Sequence, residues 1–224
     1  MNVTRDAALE SRALQTLGES GDAIYRAAVE ALRRRSAAGS VVDIGCGTGR
    51  LRDALAGIAT SYVGVDAVRH SGFPDDARLL LADLDRDLIP MADGSADVVV
   101  ALETIEHLEN PRAFCRNLAR VTRPGGWLVV STPNQRSVGS LGALLFKEHF
   151  SAFRGSCYPA HRTALLDTDL RRIASEIGLD EIAIVFTGAG RVPLTARSYP
   201  RFMSRALPRA CSDNVLLIAR RPLR

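Results

Sequence analysis

The chain has 224 residues, 46% of them hydrophobic and 24% charged, and a formal net charge of +4. That length suits a single globular domain over 1–224 with a sizeable core, and the composition excludes a disordered or fibrous protein. The four cysteines (Cys46, Cys115, Cys157, Cys211) are scattered and form no C-x-x-C pair, which excludes a zinc ribbon or disulfide scaffold and favours a reducing compartment. The N-terminus is polar, with no apolar signal core, and no apolar stretch is long enough to span a bilayer, so a soluble, cytoplasmic protein is expected.

Charge is unevenly spread. Residues 191–224 hold eight arginines and one acid, Asp213, so the rest of the chain is net acidic. A basic tail on an acidic body suits an anionic substrate, nucleic acid or a membrane surface. Aromatics make up only 5% of the chain, too few for a base-stacking groove, so nucleic acid is not the expected partner.

In chain order, residues 20–35 carry apolar side chains at helical spacing and make 1–40 an N-terminal helical cap. A buried strand follows at 41–45 and a helix at 48–56. Further apolar runs of strand type lie at 61–66, 78–82, 97–102, 127–131, 182–186 and 215–219. Helices are expected at 111–121 and 166–177, and a turn at Pro124-Gly125-Gly126. Strands alternating with helices predict an α/β fold: a doubly wound, Rossmann-like, seven-stranded, mostly parallel sheet with helices on both faces. No clear helix separates the last two runs, so the final strand is expected to be antiparallel. Residues 132–162 and 188–212 are long insertions, expected on the substrate side.

The chemistry centres on VVDIGCGTGR at 41–50. A strand running into Gly45, Gly47 and Gly49 presents backbone to a ligand at the carboxyl end of the sheet. The dinucleotide fingerprint G-x-G-x-x-G fails, because its third glycine position holds Arg50. Asp43 stands two residues before Gly45. A pyrophosphate tolerates no such acid, whereas a ligand bearing an ammonium and a sulfonium can use one. The next strands also end in acids: Asp66, placed to accept ribose hydroxyls; Asp83, suited to an adenine amino group; and Glu103.

Asp43-x-Gly45-x-Gly47-x-Gly49 resembles motif I of the class I S-adenosylmethionine-dependent methyltransferases. Glu103-Thr104-Ile105-Glu106-His107-Leu108, Asn110-Pro111, Arg123-Pro124-Gly125-Gly126 and Ser131-Thr132-Pro133-Asn134 narrow the resemblance to the ubiquinone-biosynthesis O-methyltransferase group and its relatives. It is strong over 41–134, weaker to Gly178, and silent on 188–212. It implies a seven-stranded sheet with an antiparallel last strand and S-adenosylmethionine as cofactor. Asp43, Gly45, Cys46, Gly47 and Gly49 would then surround its methionine part, Asp66 and Ala67 its ribose, and Asp83 and Leu84 its adenine, with Glu103 close by. A branched side chain at Gly47 is expected to occupy the cofactor's space.

His107, just past the fourth strand, is the natural general base for a hydroxyl acceptor; Glu106 and His161 are the other catalytic candidates. His70 and His149 are assigned nothing. Glu103, Glu106, His107 and His161 together also resemble the metal-binding set of small-RNA 2′-O-methyltransferases and some ubiquinone-pathway relatives. A divalent metal is therefore a second cofactor to test, although no residue is assigned as a metal ligand. The acceptor is expected to be a small molecule, quinol-like or a sugar, methylated on oxygen. Residues 140–146 (SLGALLF) and the arginine-rich 191–209 would frame its entrance and bring peripheral contact with an anionic membrane. The alternatives are a nucleic-acid methyltransferase using the basic C-terminal region, a non-catalytic cofactor binder of the same fold, and, on fold alone, an NAD oxidoreductase.

Overall fold

The computed structural model describes residue 13 and residues 18–223; the part of the expected N-terminal cap in 1–12 and 14–17 lies outside them. The chain runs α1 (Asp22–Arg33), β1 (Gly39–Ile44), α2 (Leu51–Ala54), β2 (Ala59–Asp66), β3 (Arg78–Leu81), β4 (Ala96–Ala101), α3 (Pro111–Val121), β5 (Thr122–Pro133), α4 (Val138–Lys147), α5 (Asp167–Glu176), β6 (Asp180–Phe186), α6 (Arg201–Ala206) and β7 (Asn214–Arg220). The strands form one seven-stranded sheet in the order β3-β2-β1-β4-β5-β7-β6. β1 to β5 pair in parallel, and β7 runs antiparallel to both β5 and β6. The expected architecture is therefore present.

Side-chain alternation explains why the sheet is covered on both faces. Val42, Ile44, Val99 and Leu128 pack with Phe114 and Leu118 of α3 and Leu170 and Ile173 of α5. Val41, Val98, Val100 and Trp127 point the other way, onto Ile24, Ala28 and Leu32 of α1 and Leu51 of α2. Local signals set the helix bounds. Asn110 caps α3 by accepting the Ala113 N–H at 3.0 Å, with Pro111 at the first position.

The structure departs from the expected elements in three places. The helix expected over 48–56 is a single turn, Leu51–Ala54, with Leu55 at its end and Gly57 at φ +78° turning the chain two residues later. Residues 67–77 and 82–95 cross between parallel strands without a helix. Helices α4 and α6 fall inside the expected insertions. The two insertions are joined: buried Asp167, at the start of α5, pairs with Arg136 at 3.1 Å and Arg209 at 3.6 Å. The Asn134 side chain also donates to the Arg209 and Ser212 carbonyls.

Leu118 of α3 is fully buried between helix and sheet. Leu118→Ala is expected to lower unfolding free energy by about 2–5 kcal/mol, measured by urea denaturation. A loss below about 1 kcal/mol would show that this face repacks freely.

Candidate active site

β1 has β2 on one side and β4 on the other, so the strand order reverses there and a crevice opens beyond their carboxyl ends. The loop after β1 fills its floor. The Gly45 N–H donates to the Val65 carbonyl at 2.7 Å, and the Gly47 N–H to Asp66 Oδ2 at 2.8 Å. The Thr48 N–H donates to the Gly18 carbonyl at 2.9 Å, which draws the segment before α1 over the loop.

Gly45, Gly47 and Gly49 all have positive φ. A Cβ at Gly47 would sit 2.0 Å from the Gly18 carbonyl oxygen, and at Gly45 2.2 Å from the Thr104 hydroxyl. The reason expected for Gly47 is thus corrected: backbone, rather than cofactor, occupies the space its side chain would need. Gly49 faces Pro74 and Phe73 and is absent from the lining of the cleft.

The other proposed cofactor residues, Asp43, Gly45, Cys46, Gly47, Asp66, Ala67, Asp83, Leu84 and Glu103, line one cleft of about 420 Å³, together with Glu106, His107 and His161. Among the described residues, seven of those lining it are carboxylic acids and none is Lys or Arg. Such a lining repels phosphates and suits a cationic ligand. Asp43 is buried, accepts the Tyr62 hydroxyl at 2.7 Å, and has its pKa pushed up to about 7, chiefly by burial and further by the charge of Asp66.

Asp66 uses one oxygen for Gly47 and the other for the Ala67 N–H at 2.7 Å, so it shapes the loop, and each oxygen keeps a second lone pair. Asp83 caps its own turn through the Asp85 N–H at 3.1 Å. Burial pushes the Cys46 thiol far up, which removes it as a nucleophile.

Glu103 adopts φ +50°, with its N–H on Ser131 Oγ and its Oε1 accepting Asn214 Nδ2 at 2.7 Å. Burial raises its pKa. Thr104 donates to the Ile44 carbonyl and so ties the β4 loop to the end of β1.

A single 3-10 turn, Ile105–His107, carries the proposed catalytic pair. Glu106 is wholly buried, and neither carboxylate oxygen has a hydrogen bond of ordinary geometry among the described residues. Burial and the charge of Glu103 raise its pKa well above the usual carboxylate range. Its carbonyl accepts the Arg162 and Thr163 N–H groups, which brings residues 156–161 over the cleft. Nδ1 of His107 lies 2.9 Å from the Ala160 carbonyl and Nδ1 of His161 2.6 Å from the Ala152 carbonyl. Carbonyls accept only, so both rings carry a proton on Nδ1, leaving Nε2 as the acceptor nitrogen of a neutral ring. The rings meet edge to face, centroids 4.9 Å apart. Burial lowers the pKa of His161.

Sequence reasoning missed Gly18, Glu19, Ser20, Tyr25 and His70, which also line the cleft. The sequence gives His70 no motif, yet its Nε2 lies 3.8 Å from Asp66 Oδ1. His149 does not line the cleft. No local pattern marks these positions, because their contacts to the loop are made by the fold.

Residues 18–184 match a family described as "Methyltransferase domain". The chain is 30% identical over 166 residues to the ubiquinone biosynthesis O-methyltransferase of Thiobacillus denitrificans, covering 69% of each. It is 31% identical over 188 residues to a probable S-adenosylmethionine-dependent methyltransferase of Mycolicibacterium smegmatis, covering 81% of this chain and 68% of that one. A SAM-dependent methyltransferase structure from Archaeoglobus fulgidus superposes with TM-score 0.61 at 19% identity, over 88% of this chain and 94% of the other, a likeness of fold. With S-adenosylmethionine as the cationic ligand that the acid-lined cleft suits, the chain belongs to the class I S-adenosylmethionine-dependent methyltransferases.

Proposed function

We propose that the chain methylates a hydroxyl oxygen of a small, hydroxylated, amphiphilic acceptor such as a quinol-like molecule, with His107 as general base. The observation that carries this reading is the pair His107 and His161, rings 4.9 Å apart, in the same cleft as the glycine loop. The name of the Thiobacillus relative, an O-methyltransferase, agrees with an oxygen acceptor.

S-adenosylmethionine, when bound, would supply a methyl group activated by a cationic sulfur. The chain positions, desolvates and moves one proton. Asp66 and the loop it holds offer hydrogen-bonding groups at the cofactor end. The Ala160 carbonyl fixes the His107 tautomer, so that Nε2 takes the hydroxyl proton. Donor atoms of Glu106 and His107 lie within 4.8 Å of each other, so the buried carboxyl stands beside the ring that receives the proton. Burial keeps His161 neutral, available as a hydrogen-bond partner to the acceptor.

A second reading of the same cluster is a divalent cation. Glu106, His107 and His161 offer three donor atoms within 4.8 Å of one another, and Glu106 oxygens without a hydrogen bond of ordinary geometry among the described residues fit such an ion. An ion there would act as a Lewis acid toward the acceptor oxygen. Full activity after dialysis against a chelator, with metal content verified as nil, would dispose of this reading.

Asp66→Ala is expected to weaken S-adenosylmethionine binding by about 1.5–3 kcal/mol in calorimetry, with NAD giving no heat in either protein. Unchanged affinity would remove Asp66 from the cofactor site. Gly47→Val should lower both affinity and melting temperature, since its Cβ meets the Gly18 backbone; a loss of affinity alone would restore the cofactor clash.

His107→Ala should leave cofactor affinity nearly unchanged and reduce turnover about 10²–10⁴-fold. Normal turnover on the true acceptor would end the base assignment.

Cofactor affinity should also follow Asp43. A cationic ligand favours the ionised carboxylate, so protons and ligand compete. Affinity should rise from pH 5.5 and level off above about 7, and Asp43→Asn should flatten that slope. A slope that persists in Asp43→Asn assigns the titration elsewhere.

A further inference from the structure

One carboxylate outside the proposed catalytic set holds three loops together at the edge of the cleft. The Asp85 side chain is 7% exposed. Its Oδ1 accepts the Glu109 N–H, from the loop after β4, at 2.7 Å. Its Oδ2 lies 3.7 Å from Arg162 Nη1, from the segment that covers the cleft. The Asp85 N–H in turn donates to Asp83 Oδ1 at 3.1 Å. Asp83, Leu84 and Asp85 line the cleft, whereas Arg162 does not. Arg162 stands behind the wall, so any effect it has on the site passes through other residues.

The same guanidinium reaches toward the histidines. Its Nε donates to the Pro159 carbonyl at 3.3 Å, and its Nη1 also pairs with Glu109. The next carbonyl, that of Ala160, holds Nδ1 of His107, and His161 directly precedes Arg162. Other contacts anchor the segment separately. The Arg162 and Thr163 N–H groups donate to the Glu106 carbonyl at 2.9 and 3.0 Å, and the Thr163 hydroxyl donates to the Leu108 carbonyl at 2.6 Å. Removing the guanidinium thus leaves the segment tethered but withdraws a cation from a stretch that holds Asp83, Asp85 and Asp87. Arg86 faces Asp83 at 3.7 Å, but from solvent. A buried carboxylate that loses its cation beside like charges is unfavourable, so the acidic turn and the guanidinium hold each other in one arrangement. Guanidinium donors lie in a fixed plane and can meet two acids and a carbonyl together, which a flexible ammonium does less well.

We infer that Arg162 is a positioning residue that couples adenine binding to the placement of His107 and His161. A ligand on Asp83 steadies the turn, and the turn seats the guanidinium between Asp85 and Glu109. The seated guanidinium fixes the Pro159-Ala160 backbone that orients the His107 ring. Coupling of this kind is reciprocal, so loss of Arg162 weakens binding at the adenine end as well as loosening the histidines. The inference rests on the proposed placement of adenine at Asp83, but not on the identity of the acceptor.

Adenosine is the probe, since it fills the adenine and ribose positions and carries no methyl donor. The test is nuclear magnetic resonance of the full chain, isotope-labelled at histidine Cε1 and titrated with adenosine. His70, beside Asp66 at the ribose end, reports occupancy, while His107 and His161 report the coupling. In the wild type adenosine should move all of these signals. In Arg162→Gln the His70 signal should still move, which shows the variant folded, but should need about fivefold more adenosine. His107 and His161 should stay unmoved there at saturation, and Arg162→Lys, which keeps the charge, should restore part of their response. If His107 and His161 respond equally in Arg162→Gln, or not at all in the saturated wild type, the inference is overturned while the adenine placement stands. Adenosine affinity unchanged in Asp83→Ala removes that placement instead, and the inference with it.

Discussion

Both oxygens of Asp66 are engaged by backbone N–H groups, one from Gly47 and one from Ala67. This carboxylate joins the loop after β1 to the loop after β2, and the cleft takes its floor from that junction. The Gly47 backbone can approach because it lacks a Cβ, and the space beside it is filled by the Gly18 carbonyl. Thr48 bonds the same carbonyl, so the segment leading into α1 is fixed by the loop it covers. One acid and one missing side chain thus bring three stretches of chain together at the point where strand order reverses.

The cleft concentrates strain and like charge. Glu103 sits in a left-handed conformation, which for a residue with a Cβ costs roughly 1–3 kcal/mol, and it is held there by Ser131 and Asn214. Burial opposes the ionisation of Asp43, and the charge of Asp66 adds to that opposition. Such an arrangement is poor for the protein alone and favourable for a cation, so binding free energy offsets what folding gives up. Residues 191–209, with five arginines and no acid, carry the opposite sign, so the acids gather at the cleft and these cations lie apart from it.

The sheet and the glycine loop are legible in the sequence because their signals are local: apolar runs, an acid at or just past the ends of β2, β3 and β4, and a proline after Asn110 at the start of α3. Ser20, Tyr25 and His70 were illegible because their place in the cleft is set by contacts across the fold. Asn214 supports Glu103 from 111 residues away. α4 is hidden within an insertion because its apolar residues face out and Ser140 faces in, so its pattern resembles neither a core-facing helix nor a loop. Gly47 is subtler: sequence shows that a side chain is missing but not what stands in its place, which is the Gly18 backbone.

The Asp167 carboxylate, seated between Arg136 of one excursion and Arg209 of the other, means that the two long segments do not vary independently. Removing either arginine leaves a buried anion half-compensated, a cost of about 3–5 kcal/mol when such a pair is broken outright. Grafting one segment from a relative without the other would therefore unsettle both. Divergence of these two stretches within a lineage is expected to be concerted, with Arg136, Asp167 and Arg209 changing as a set or not at all.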